Sequence, residues 1–371
     1  MKIASFNVEN LFDRAKAFND DTAAAKKVVK LEAELNTIFE QPVYSAADKD
    51  RILSIMKETG ILKSDNGPYL LLRKIRGKLI NRPKSGTGYT IDADGRGDWV
   101  GWAELKTAHV NARAVMNTGR VLRDVNADIL AVVEAEHRVA LKQFSDYVLD
   151  QVGGTPYEHV MLIDGNDDRG IDVGLMTRKG YPIGLMRSHI HDVNGEGKAV
   201  FSRDCPEYCV HTPDGEKIWV LPNHFKSKFG GNDPVSQAKR TLQAERTAEI
   251  YNGLLSEGNQ NIVVLGDLND TPESAPIQAL LTSTDLRDIS EHPSFNTGSY
   301  PGKGTYDAGR DNQKIDYLLL SPALFNRVTA GGIFRKGAWP GARARRWDVY
   351  PELEKEIHAA SDHHLIWCEI I

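Results

Sequence analysis

Several places in this chain set a chemically capable side chain directly beside a short apolar run. The run Ile262, Val263, Val264 and Leu265 leads through Gly266 into Asp267, Leu268, Asn269 and Asp270. Asp267 and Asn269 are two apart, so in extended backbone both project to one side. A carboxylate beside an amide is suited to holding an attacking water next to a phosphate oxygen. The same residue types are also ordinary turn formers. The run from Ile129 to Val133 ends in Glu134. An acid directly after five apolar residues is costly unless it is exposed at a strand end or bound to a cation. Glu134 is therefore a metal-ligand candidate, and Glu136 a weaker one. Residues 2–7 end in Asn7, whose amide either faces a crevice or caps a turn, and residues 218–222 lead into Asn223 and His224. Asp316 sits inside the apolar stretch 314–321, where an acid wants a partner such as a histidine it can orient. Ser361, Asp362, His363 and His364 precede the closing apolar run.

These positions need strands behind them. Continuous apolar runs rich in β-branched residues read as strands buried on both faces, in the middle of a sheet. Ligands bind in the crevice beyond the ends of such strands. Helices are expected over about 110–125, 141–151, 276–281, and from Asp233, a cap followed by Pro234, to about 255. Residues 157–163 and 171–177 read as a hairpin across a polar loop, 183–189 as a strand, and 191–214 as irregular. Arg169 and Asp172 place a cation and an acid at one strand end, either pairing with each other or leaving Arg169 to substrate.

Residues from about 13 to 108 form a distinct, largely helical insertion in an otherwise single domain spanning 1–371. Alanines and lysines near its start favour helix. Ser45 followed by Asp48 is a capping signal, and Gly60 a helix end. Arg73, Lys74, Arg76, Lys78, Arg82 and Lys84 form a basic cluster, either a solvated surface or a contact for phosphate-rich substrate. Trp99 and Trp102 in a polar loop either stack on a base or sugar or pack the insertion onto the body.

Composition bounds the function. The 371 residues are 41% hydrophobic and 26% charged, enough for a large globular core. A net charge of -5 argues against general binding along a nucleic-acid backbone, so such contact needs a local patch or a metal. Cys205 and Cys209 lack two further ligands at zinc-site spacing, and three cysteines without a framework suit a reducing compartment. No run is long enough to span a membrane, and the chain opens on a strand rather than a signal peptide, so a cytoplasmic location is expected.

The ordered set of Ser5-Phe6-Asn7, Asp128-Ile129 through Glu134, Asn223-His224, Gly266-Asp267-Leu268-Asn269, Lys314-Ile315-Asp316-Tyr317 and Ser361-Asp362-His363 resembles the endonuclease/exonuclease/phosphatase superfamily, the DNase I-like metal-dependent phosphohydrolases. The resemblance implies a four-layered α/β sandwich, two mixed β-sheets packed face to face with helices outside. It also implies Mg²⁺-dependent hydrolysis of a phosphoester, with Mn²⁺ the alternative and one ion or two. On that pattern Glu134, Asn7 and Asp362 hold the metal. Asp267 orients or deprotonates the water, and Asn269 holds a phosphate oxygen. His363, oriented by Asp316, donates to the phosphoryl group or acts as base, and His224 stabilises developing charge. Arg169 and Lys226, with Lys228 nearby, are the cations placed to meet substrate. Val133 stands where the family often has Gln, and no family role reaches the insertion. The implied activity is a phosphodiesterase acting on nucleic acid as an endonuclease or exonuclease. The alternative is a phosphomonoesterase or lipid/inositol-phosphate hydrolase on the same scaffold. A non-catalytic binding protein would have lost these groups. No protein partner is implied.

Overall fold

The computed structural model of the chain describes residues 1–9, 23–106, 111–167, 170–228, 233–342 and 346–371. Its contacts divide it into two compact units, Met1–Phe12 with Val110–Ile371, and Asp13–His109.

The first unit is built on two mixed sheets. One has seven strands in the order Phe295–Asn296, Val328–Phe334, Leu365–Ile370, Lys2–Asn7, Ile129–Ala135, Asp172–Thr177 and His159–Leu162. The other has six, in the order Arg287–Asp288, Asp316–Leu320, Ile262–Asp267, Lys217–His224, Glu207–His211 and Ile183–Arg187. The continuous apolar runs follow from burial on both faces. Along Ile262–Asp267, Val263 and Leu265 enter the core between the sheets, while Ile262 and Val264 enter the core under the outer helices. Ile129 and Ala131 likewise join the central core, and Leu130 and Val132 the outer core on the opposite side. Three apolar layers between four structural layers make the α/β sandwich.

The helices cover the outer faces. Ala112–Val125 is capped by Asn111, whose side chain accepts from the Arg113 amide, and ends at Asn126 in the left-handed region. It buries Val121, Leu122 and Val125 in the outer core of the seven-stranded sheet. Pro234–Ser256 starts at Asp233, which accepts from the Val235 and Ser236 amides, with proline in the first turn. Ala244, Ala248, Tyr251 and Leu254, at helical spacing, cover the six-stranded sheet.

Two of the longer strands depart from the sequence expectation. Glu207–His211 lies inside the stretch read as irregular, paired antiparallel to Lys217–His224. Its acid is held by Arg187 and His189, so a polar residue sits in a strand because partners exist elsewhere in the chain. Val328–Phe334 was not foreseen; its adjacent Gly331 and Gly332 weaken any strand signal. The three cysteines are buried and unbridged. Among the described residues, no helix is long and apolar enough to cross a membrane.

The second unit has its own core, with Leu35, Ile52, Ile55, Met56, Leu70, Trp99 and Ala103. Helices Ala23–Phe39 and Ala46–Glu58 occupy its first part, the latter opened by a Ser45/Asp48 capping box. Gly60 follows at φ +78°. From Leu70 onward the unit is strand-built rather than helical. Leu70–Arg76 pairs with Val100–Leu105, and Ile80–Asn81 with Thr90–Ile91. The polar loop expected around Trp102 is thus a strand, because Ala103 and Leu105 pack into the core beneath it.

Candidate active site

Strand direction alone brings the predicted residues to one edge. Asn7 ends a strand parallel to Ile129–Ala135, so Asn7 and Val133 are register partners. In the other sheet His224 pairs with Asp267 and Asp267 with Asp316, across a parallel and an antiparallel junction. His363 and His364 precede the strand Leu365–Ile370, which runs antiparallel beside Lys2–Asn7.

Backbone exceptions aim the side chains. Glu134 has φ +66° at a register shift between Val133 and Ala135. A bulge there turns the carboxylate out of the alternation of its strand. Gly266 has φ +129°, and a Cβ on it would meet the Asn223 carbonyl oxygen at 2.0 Å. Only glycine lets the two parallel strands close up just before Asp267. Asn269 has φ +54°, and its backbone N–H donates to Asp267 Oδ1 at 2.9 Å.

The Asn7 amide is the hub. Nδ2 lies 3.4 Å from Glu134 Oε1, 3.2 Å from Asp267 Oδ2 and 3.4 Å from His363 Nε2. His224 Nε2 stands 3.8 Å from Glu134 Oε1 and 3.7 Å from Asp267 Oδ2. His363 Nδ1 meets Asp316 Oδ2 at 2.8 Å, which turns Nε2 toward Asp267 at 3.9 Å and Asp362 at 3.8 Å. The Asp362 backbone N–H donates to Glu9 Oε2 at 2.9 Å.

Buried charge of one sign dominates. Burial, and next Asp316, push the Asp267 carboxyl up, with Glu134 adding to the shift while His363 opposes it. Burial alone would lower the His363 imidazole, but Asp316 and then Asp362 hold it well above its ordinary value. His364 points elsewhere and is held well below the usual value, by burial first and then by Arg335. The adjacent histidines thus carry opposite tendencies. Converging oxygen donors with surplus negative charge are the setting in which a hard divalent cation fits. Asp267, Asp316 and His363 also offer ligand atoms within 4.8 Å of one another.

The structure brings together Asn7, Glu134, His224, Asp267, Asp316, Asp362 and His363. Asn269 is adjacent, but its Nδ2 donates to the Phe225 carbonyl oxygen at 3.2 Å, so this amide ties two loops together. Lys226 is fixed through its backbone, the N–H donating to Gln243 Oε1 and the carbonyl accepting from Arg240. Lys228 pairs with Asp270. Arg169 lies outside the described residues. Sequence reasoning missed Glu9, although its two-residue offset from Asn7 was a usable signal. It also missed the buried pair of Arg240 Nε with Asp270 Oδ2 at 3.0 Å. That pair holds the loop after Asp267 against the loop after His224, and Arg240 sits on a helix with no local sign of its partner.

A family model described as endonuclease/exonuclease/phosphatase family matches residues 102–335, well over half the chain. No curated protein matches. Among solved structures, an endonuclease/exonuclease/phosphatase family protein from Bacteroides thetaiotaomicron is similar at 16% identity and TM-score 0.50, covering 69% of this chain and 85% of its own. A mannosyl-6-phosphatase of the same organism is similar at 16% identity and TM-score 0.50, covering 70% and 91%. A sphingomyelinase C from Streptomyces griseocarneus is similar at 15% identity and TM-score 0.47, covering 70% and 92%. With Glu134, His224, Asp267, Asn269 and Asp316 all inside the matched segment, the chain belongs to the endonuclease/exonuclease/phosphatase family and is a phosphoric ester hydrolase.

Proposed function

We propose that the chain is a Mg²⁺-dependent phosphodiesterase that hydrolyses nucleic-acid phosphodiester bonds by in-line attack of water. The observation that carries this reading is the division of labour around Asn7. Its Nδ2 lies within 3.4 Å of Glu134, Asp267 and His363 alike. Glu134, Asn7 and Asp362 would hold the cation, with Glu9 beside Asp362. When bound, the ion neutralises phosphate charge and orients the scissile group.

The protein's own groups do the rest. Asp267, with its carboxyl raised by burial and Asp316, is suited to take a proton from water near neutral pH. The Asn269 N–H fixes Asp267 Oδ1, which leaves Oδ2 facing the cluster. His363, oriented by Asp316 and held in its charged form, donates from Nε2 toward a phosphoryl oxygen. His224, deeply buried at the end of its strand beside Glu134 and Asp267, stabilises negative charge developing on the phosphate or leaving group. Lys226 meets substrate at the rim.

The second reading is a phosphomonoesterase, favoured by the similarity to a solved phosphatase. The test is conversion of supercoiled plasmid to nicked and linear forms with Mg²⁺ or EDTA, for wild type and His363→Ala. Cleavage that needs Mg²⁺ and vanishes in the variant supports the nuclease reading. Absence of cleavage, together with turnover of a phosphomonoester, replaces it with the second.

A further inference from the structure

The strand pair Leu70–Arg76 and Val100–Leu105 has two unlike faces. Leu70, Leu72, Ala103 and Leu105 belong to the core of their unit or pack against it, which fixes the pair from behind. On the opposite face, Leu71 stands opposite Glu104 and Arg73 opposite Trp102. The register then shifts between Lys74 and Arg76, so that Arg76 stands opposite Val100. Val100, Trp102 and Glu104 alternate along one strand and share a face. Regular alternation would put Arg76 on the core side with Lys74. The bulge at Ile75 instead brings it to the outer face. The outcome is an exposed indole with Arg73 directly across from it and Arg76 across from Val100, the next residue on the same face, with Trp102 42% exposed. Trp99, by contrast, is buried against Phe39, ring centroids 4.6 Å apart. The two tryptophans therefore divide between anchoring and display.

Electrostatics favour an anion at this face. Residues 13–109 carry seventeen Lys and Arg against fourteen Asp and Glu, whereas the rest of the chain carries twenty-nine against thirty-seven. Glu104 accepts from Arg73 Nε and Nη2 and holds that guanidinium in place beside Trp102. Among the described residues, Arg76 has no carboxylate partner. Guanidinium forks suit phosphate oxygens, and an exposed indole offers its π-face to any base. A lipid surface would call for a broader apolar projection than Ile75 and Trp102 supply.

We propose that this outer face binds single-stranded nucleic acid, with Trp102 stacking on a base and Arg73 and Arg76 taking the flanking phosphates. The proposal rests on the nucleic-acid reading of the active site and assigns its substrate class. Two strand positions are about 7 Å apart, comparable to the spacing of consecutive phosphates in an extended strand.

The test is fluorescence anisotropy of fluorescein-labelled oligo-dT with the full chain in EDTA, across a salt series. Hydrolysis of bis(4-nitrophenyl) phosphate with Mg²⁺ is followed in parallel. Trp102→Ala is expected to weaken binding about tenfold or more. Arg73→Ala/Arg76→Ala is expected to reduce the salt slope by about one to two, with Trp102→Phe retaining most of the affinity. All three variants should hydrolyse the small diester like wild type. The proposal is overturned if wild type does not bind the oligonucleotide, if the first two variants bind it equally well, or if wild type binds phosphatidylserine vesicles instead. Failure of the phosphodiesterase reading shows separately, as absence of turnover of the small diester by wild type.

Discussion

The active-site edge and the outer face of the Leu70–Arg76 ribbon use charge in opposite ways. At the edge, Asp267, Asp316, His224 and His363 are all buried and lean on one another. On the ribbon, Arg73, Lys74 and Arg76 are exposed to water. Buried charges interact in a low effective dielectric, so their protonation states are coupled and removing one changes the rest. Exposed charges are screened, act nearly independently, and contribute most to long-range attraction of a polyanion. One region is thus built to do chemistry on a bond and the other to hold a chain.

This contrast is broken most directly at the active site. Asp267→Asn and His363→Ala are each expected to lower kcat about 10²–10⁴-fold on bis(4-nitrophenyl) phosphate with little change in KM. Full turnover in either variant would remove that residue from proton handling. Next comes the support behind the site. Arg240→Ala leaves Asp270 with the partly exposed Lys228 and the Thr271 N–H, and should cost about 3–5 kcal/mol in urea unfolding. It should also lower kcat, because the loops after His224 and Asp267 are no longer held together. Stability unchanged in this variant would show that the pair is not what joins them.

The metal end gives a graded effect. Glu134→Gln is expected to raise the Mg²⁺ concentration for half-maximal activity by about 10–100-fold or more, the range known for outer-shell changes. An unchanged titration curve would place the ion elsewhere. Asp172 tests buried charge away from the chemistry. Burial first, then Asp164 and Asp167, push it up to about 7, against the Gly165 N–H and Arg203. From about pH 4 to about 7 the folded chain then binds more protons than the unfolded chain. Stability should therefore fall as pH rises through that window and level off above it. Asp172→Asn should flatten this dependence and add about 1–3 kcal/mol at pH 8, read by urea unfolding at several pH values. The smallest effect belongs to the ribbon. Glu104→Gln removes the carboxylate shared with Arg73, and should tighten oligo-dT binding about two- to fivefold with a steeper salt slope. Weaker binding would show that Glu104 matters more for placing Arg73 than for opposing the ligand.

Much of the site was legible because strand ends announce themselves. A buried strand must be apolar along most of its length, so the polar residues at its end stand out, as Glu134, His224 and Asp267 do. What stayed hidden depended on partners far away in the chain. Nothing near Arg240 names Asp270, thirty residues on, as the group that neutralises it. Glu207 looked like loop because its partners, Arg187 and His189, are supplied from another strand end. Asn269 had the right residue type for phosphate, yet the fold turns its amide onto the Phe225 carbonyl.

By itself the sequence determined which residues are available, the order of the strands that carry them, and the family to which they belong. Side-chain chemistry and burial periodicity are local properties, and local properties can be read along a chain. Only the tertiary structure decided which acids share a field, that the Asn269 amide turns onto the Phe225 carbonyl, and that bulges at Glu134 and Ile75 turn a carboxylate and a guanidinium to new faces. These outcomes depend on strand register, and register is set by pairing across the whole sheet.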